Sequence, residues 1–443
     1  MKIRLSDHFS YQKLLRFCFP PMMMVLFGSV YGVVDGLFVS NFVGKSSFTA
    51  INLVMPVNFI LGGLGFMAGA GGSALVGKTL GEGKKELANR YFSMIAEFIL
   101  MVGVVCAIVV AALMKPISLF LGAGEETLKD CVVYGTILLL FNPTFILQMM
   151  FQNFLTTAEK PKLGLYVTIG SGLTNMILDA LFIAGFHWGV AGAALATGMS
   201  QTVGCVVPFL YFMEPNDSLL QLVKTRIDWS AILKTCYNGL SELLSNVSSS
   251  VVSIAYNFQL LKFAGEDGVA AYGVLMYIFY FFISIFLGYA VGVAPIVSFH
   301  YGARNRMELK SVLRKSTVLM MVEGMAVMVL SQFLAVPLSK IFVGYDQNLL
   351  AMTVHGMRLF VFAFIFVGFN IFSSSFFTAL NNGKISAILA FLRTFVFQLI
   401  PIQILPYLMG LDGIWITVTI SEIASFVVAV YFILKKRQKY GYL

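Results

Sequence analysis

From Phe17 to Phe42 the chain runs twenty-six residues with one charged side chain, Asp35. A helix rises about 1.5 Å per residue, so this run exceeds what the roughly 30 Å hydrocarbon core of a bilayer requires. In hydrocarbon a backbone has no water to bond, so such a run crosses as a helix whose polar groups satisfy one another. Eleven further runs of this kind follow. The twelve predicted spans lie near 14–40, 50–78, 91–114, 128–156, 163–184, 190–213, 232–262, 270–299, 312–336, 348–379, 385–408 and 412–434. Only 12% of residues are charged, against about 25% in soluble domains. The chain therefore reads as an all-α, multi-pass membrane protein.

The formal net charge of +9 would suit a nucleic-acid binder, but its distribution points to the membrane. With the N-terminus inside, the predicted inner segments hold 24 of the 30 Lys and Arg. The outer ones hold six: Lys45, Lys115, Lys129, Lys262, Lys340 and Arg358. This positive-inside bias sets both termini in the cytoplasm of a cell-membrane protein. Met1 to Arg16 lacks the apolar core of a signal peptide. Five cysteines without a CxxC pattern imply neither disulfides nor a metal cluster. The four histidines are dispersed with no HExxH, which argues against an intramembrane enzyme. No cofactor is expected. The expected partners are small molecules and lipids, with no nucleic acid, and the chain is expected to be monomeric.

The two halves echo each other. At an offset of 221, Phe42-Val43-Gly44 with Ala50 matches Phe263-Ala264-Gly265 with Ala271, Gly81 matches Gly302, and Thr157-Ala158 matches Thr378-Ala379. Gly189-Val190 matches Gly413-Ile414 at 224. Six crossings return a chain to its starting side, so these are parallel repeats, which place a substrate path between the halves. The expected organisation is a six-helix lobe over 1–213, a cytoplasmic linker over 214–231 and a second six-helix lobe over 232–443.

Asp35 is costly in a bilayer unless it serves a purpose. Asn175 and Asp179 lie four apart on one face of the fifth span. Counted from the inner ends of their spans, Asp35 and Asp179 both rise about 25 Å. Tyr134 lies near the outer end of span four, and Thr197 enters from outside on span six. Two carboxylates, an amide, a hydroxyl and a phenol can therefore share one depth. Hard oxygen groups suit a small cation, and paired acids suit a shared proton. Where that cation is Na⁺, it is expected at Asp35, Asn175 and Asp179. Glu242, with Asn246 one turn above it, and Glu422 lie near mid-depth and are candidates for a substrate cavity.

At these residues the sequence resembles the multidrug and toxic compound extrusion (MATE) transporters. The resemblance rests on Tyr31-Gly-Val-Val-Asp35-Gly-Leu-Phe-Val with Gly44, Ala50, Asn52-Leu53 and Pro56, on Pro295-Ile-Val-Ser-Phe with Gly302-Ala303-Arg304-Asn305, and on Phe377-Thr-Ala-Leu-Asn381. It implies a V-shaped molecule of two six-helix lobes. The implied function is secondary active antiport, exporting organic cations and other amphiphiles in exchange for inward Na⁺ or H⁺. In the DinF-type branch the cation site is in the N-terminal lobe, and its residues fall on Asp35, Tyr134, Asn175, Asp179 and Thr197. Another branch uses acids in spans seven and ten; Glu242 is present in span seven, but Met352 to Leu380 holds no acid. A lipid-linked saccharide flippase of the same superfamily is the alternative, although only Arg358 and Arg393 lie near the membrane interior.

Overall fold

The computed structural model describes residues 3–43 and 45–442. Lys2 of the inner charge set and Gly44 of the repeat lie outside the described residues. The first half contains α1 (Tyr11–Phe42), α2 (Lys45–Gly81), α3 (Lys85–Ala112), α4 (Met114–Phe120), α5 (Glu125–Leu140), α6 (Asn142–Thr157), α7 (Pro161–Asp179) and α8 (Gly189–Met213). The second contains α9 (Trp229–Gly302), α10 (Arg306–Val343), α11 (Gln347–Phe360), α12 (Phe364–Ala379), α13 (Gly383–Phe391), α14 (Phe397–Met409) and α15 (Leu411–Tyr440). The described residues include no strand.

Among the described residues, ten helices are long and apolar enough to cross a membrane. An eleventh crossing is broken: α5 and α6 meet at 55° around Phe141. Pro143 in the first turn of α6 explains the break, because proline has no N–H to continue the α5 ladder. The 74-residue α9 is itself two crossings, since Gly265 inside it has φ 61 and ψ −152. That backbone region is open to glycine and closed to residues with a Cβ. The total is the twelve spans expected, with ends shifted by a few residues.

The repeat reappears in the backbone. Left-handed positions pair Gly83 with Arg304, Glu159 with Asn381 and Gly189 with Gly410, at offsets of 221, 222 and 221. A non-glycine residue with positive φ is uncommon. Two such residues, Glu159 and Asn381, therefore mark one loop geometry built twice. Between the halves, residues 214–228 lie against α3: Val223 N–H donates to Ser93 Oγ at 2.8 Å and Gln221 N–H to Asn89 Oδ1 at 3.2 Å.

The halves meet mainly where α2 and α1 pack against α9, and the meeting is close at the end carrying the basic loops. A Cβ on Gly71 would stand 2.1 Å from Thr235 O, and one on Gly302 would stand 2.0 Å from Lys78 O. Backbones approach this nearly only where side chains are missing. Asn381 Nδ2 adds a bond across the seam to Ala74 O at 3.1 Å. The seam is therefore shut at that end.

Candidate functional site

The site begins with the way α1 lies on α7. Tyr31 donates its hydroxyl to Thr168 O at 2.6 Å. Its ring fills the space over Gly172, where a Cβ would come within 2.3 Å of it. Asp35 is one turn beyond Tyr31, and Asp179 is two turns beyond Gly172 on the same face. This register brings the carboxyls of Asp35 and Asp179 side by side. The α-helical hydrogen bonding of α7 ends at Asp179, and residues 180–185 wind as a π-helix. Such local widenings occur preferentially at functional sites.

Tyr134, only 1% exposed, faces both carboxyls and the Thr197 hydroxyl. Thr197 is carried on α8, whose close packing there depends on Gly198: a Cβ on it would lie 2.1 Å from the Phe141 ring at the α5–α6 break. Asn175 sits one turn before Asp179 and is buried. Asp35 and Asp179 lie seven and six residues from the outer ends of their crossings, about 10 Å in each case. Asp35, Tyr134, Asp179 and Thr197 are thus brought together, with Asn175 one turn away on α7.

Five buried polar atoms of this group lack protein partners. Both oxygens of the fully buried Asp179, Asp35 Oδ1, Asn175 Nδ2 and Thr197 Oγ1 have none. Two ionised carboxylates can only accept, so neither supplies what the other needs. Buried polar groups in native proteins are nearly always satisfied, and an exception calls for an explanation. A proton shared between the acids, or a small hard cation, would satisfy this oxygen set. No group of three or more His, Cys, Asp or Glu side chains suited to a metal forms among the described residues.

The second half is built differently. At the offset of 221, the position of Asp35 is taken by Tyr256, whose hydroxyl donates to Gln398 Oε1 at 2.7 Å. That position is neutral and satisfied. Glu422, expected in a cavity, is instead 2% exposed and committed. Arg393 Nε donates to its Oε1 at 2.9 Å and Asn370 Nδ2 to its Oε2 at 2.6 Å. Burial among three helices removes it from any path, a correction to the expectation from depth alone. Glu242 is half-buried on α9, within the field of Arg393. Asn246 Nδ2 donates to Glu242 O at 2.8 Å and lies beside Gly63 of α2, at the seam.

Sequence reasoning missed two features. Tyr31 has no assigned role in the sequence pattern, although its spacing of four from Asp35 places it on the same face. Gln148 and Gln201, each under a tenth exposed and each with an unpartnered Oε1, continue the polar interior of the first half. Both stand in apolar spans, which was the available signal.

Two helical repeats closed at one end, with the carboxyls of Asp35 and Asp179 side by side in the first, define a multi-pass membrane protein. The chain belongs to the MatE family, whose signature matches it twice, over residues 20–181 and 243–403. Among curated relatives, the multidrug export protein MepA of Staphylococcus saprophyticus is 25% identical over 416 residues, covering 93% of this chain and 91% of that one. A solved outward-facing conformation of a multidrug resistance MATE family transporter superposes with a TM-score of 0.93 at 22% identity, covering 98% of each chain. A MOP superfamily transporter from Pyrococcus furiosus, described as having a binding pocket of reversed polarity, gives 0.89 at 23% identity, covering 98% of this chain and 97% of that one.

Proposed function

We propose that the chain is a secondary active multidrug antiporter in the cell membrane, exporting organic cations and amphiphiles in exchange for inward H⁺ or Na⁺. The observation that carries this reading is the side-by-side pair Asp35 and Asp179, three of whose carboxylate oxygens are buried with no protein donor. Membership of the MatE family and the likeness to multidrug exporters support it. The proposed lobes are residues 1–213 and 232–443, joined by the linker 214–231, with both termini in the cytoplasm.

In this reading the shut seam is cytoplasmic, and the structure is the outward-open half of the cycle. The pair takes its ion from outside, and the ion substitutes for the missing donors. Relief of carboxylate repulsion favours a different packing of α1 on α7, which shifts the balance between the two states. Release of the ion inside restores the first packing. Glu242 at the seam supplies a counter-charge for a cationic substrate, which would otherwise be costly to desolvate.

The test is export of an unmodified fluorescent cation from proteoliposomes, driven separately by an imposed pH gradient and an imposed Na⁺ gradient. Export under at least one gradient is expected. Export under neither, or chemical change of the dye, would contradict the proposal.

A further inference from the structure

α3 and α10 are the same element of the two repeats, since their first residues, Lys85 and Arg306, stand 221 apart. Each is crossed at its basic end by the segment that leads into a long helix of the other half. On α10 that segment is Leu5 to Ser10, and it fills the groove. Glu308 Oε1 accepts Phe9 N–H at 2.9 Å, Lys315 donates to Phe9 O at 2.5 Å, and Phe9 is 0% exposed. On α3 the crossing segment is 221–228. The positions matching Glu308 and Lys315 are Leu87 and Met94. Neither carries a charge to hold the backbone, and Asp228 N–H reaches only the Met94 thioether, at 3.0 Å. The groove is left part-filled, as a cavity of about 490 Å³ between α3 and the segment.

Its lining is basic. Arg90 stands on α3, with Lys224 and Arg226 on the segment. All three are exposed, and none forms an ion pair among the described residues. The acid in the lining, Asp228, is committed: its Oδ1 accepts Ser230 N–H at 2.9 Å and Ala231 N–H at 3.4 Å where α9 starts. Glu86 and Glu97 lie on α3 one turn before Arg90 and two turns beyond it, outside the lining. Tyr91 and Thr225 add hydroxyl donors. Guanidinium groups match phosphate oxygens with paired donors, so this set suits a phosphate ester.

The cavity stops where an apolar wall begins. Trp229, next after Asp228, is 61% exposed and stands edge-on to Phe98, with ring centroids 6.1 Å apart. Phe98 lies two turns beyond Tyr91 on the same face of α3. Leu233, one turn beyond Trp229, is 66% exposed. Tryptophan concentrates at the boundary between headgroups and hydrocarbon, which puts the cavity at headgroup depth. Basic pockets between spans at that depth hold anionic headgroups.

We propose that this cavity binds the phosphodiester headgroup of an anionic phospholipid, whose acyl chains lie along Phe98, Trp229 and Leu233. Arg90 and Arg226 pair with the phosphate oxygens, and Lys224 adds a point charge. The lipid bridges α3 of the first half to the segment entering α9 of the second. The second half binds none at the matching place, because Phe9 occupies it. A soluble phosphate ester presents the same charged group but leaves the apolar wall unused.

The proposal goes beyond the antiport reading and does not depend on it. Trp229 is a native reporter, because Trp415 is 0% exposed and Trp188→Phe removes the other exposed indole. The full chain with that substitution is reconstituted in phosphatidylcholine vesicles holding a minor share of phosphatidylglycerol with brominated acyl chains. Bromine quenches an indole it touches, so lost fluorescence reports the lipid beside Trp229. Brominated phosphatidylcholine at the same share gives the baseline. One base near an anionic lipid is worth about fivefold in affinity. With three bases opposed by Asp228, phosphatidylglycerol should be preferred at Trp229 on the order of tenfold. Arg90→Gln should lower the preference about fivefold, and Arg90→Gln, Lys224→Gln and Arg226→Gln together should abolish it. Lys310→Gln, Arg314→Gln and Lys436→Gln remove the same charge elsewhere at the basic end and should leave it in place. Excess inorganic phosphate at constant ionic strength should also leave it in place. Equal quenching by the two lipids, or an equal loss in both triple variants, would overturn the proposal. Loss of the preference in phosphate would give the cavity to a soluble phosphate ester and overturn the lipid assignment. Failure of export with the preference intact would count against the antiport reading alone.

Discussion

The pairing of Arg393 with Glu422 makes a strong quantitative prediction, because it assigns an intramembrane acid to architecture rather than transport. Glu422 is 2% exposed and its partner 16%. Replacing Arg393 by Met leaves a buried carboxylate without its counter-charge, a change that typically costs about 3–5 kcal/mol. The 2.6 Å bond from Asn370 survives and places the expected cost at the lower end of that range. Replacing both members, Arg393→Met with Glu422→Met, removes charge and partner together. Such exchanges are often neutral or stabilising, so the double variant should fall within about 1 kcal/mol of the native protein. Reversible unfolding in mixed detergent and SDS micelles gives all four corners of the cycle. The single variants should be strongly destabilised and the double should not, with a coupling of at least ~2 kcal/mol. The double should also retain export, since Glu422 is outside the proposed ion and substrate path. Additive losses, or a double variant that folds but exports nothing, would refute the assignment.

Three further outcomes follow from the same geometry. Gly172→Ala puts a Cβ within 2.3 Å of the Tyr31 ring, so α1 must shift off α7 and export should collapse at normal expression; Tyr31→Phe removes only the bond to Thr168, costing about 1 kcal/mol, and should be mild. Gly71→Val meets Thr235 O, so the seam cannot close, and thiol labelling of Ser298→Cys from the cytoplasmic side should rise while export falls. Glu242→Gln should weaken export of cationic substrates more than neutral ones, measured as the ratio of initial rates; an equal effect would return Glu242 to a structural role.

Much of this arrangement was legible in the sequence, for physical reasons that differ by element. Hydropathy located the spans because the bilayer imposes both length and polarity. The depth of Asp35 and Asp179 could be counted because helices rise uniformly, and the same count applied to Tyr134 and Thr197. The division of α9 at Gly265 was marked by its match to Gly44. Other features depend on contacts that spacing does not encode. Arg393 and Glu422 are 29 residues apart, and nothing local shows that a π-helical turn at 392–396 presents one to the other. The break at Phe141 carried a signal in Asn142-Pro143 that the apolar run concealed. That Leu14, Phe17 and Cys18 at the inner end of span one pack on the second half came only from contacts, since spacing does not name their partners.

The central claim is that Asp35 and Asp179 form one ion site. Export under imposed pH and Na⁺ gradients, measured for Asp35→Asn, Asp179→Asn and the double variant, tests it most directly. Neutral Asn is cheaper to place in the membrane, so each variant should insert and fold. Each single substitution should abolish gradient-driven export, and the double should be no worse than either, as for residues that act as a unit. Native export by Asp35→Asn under the gradient that drives the unaltered protein would contradict the account.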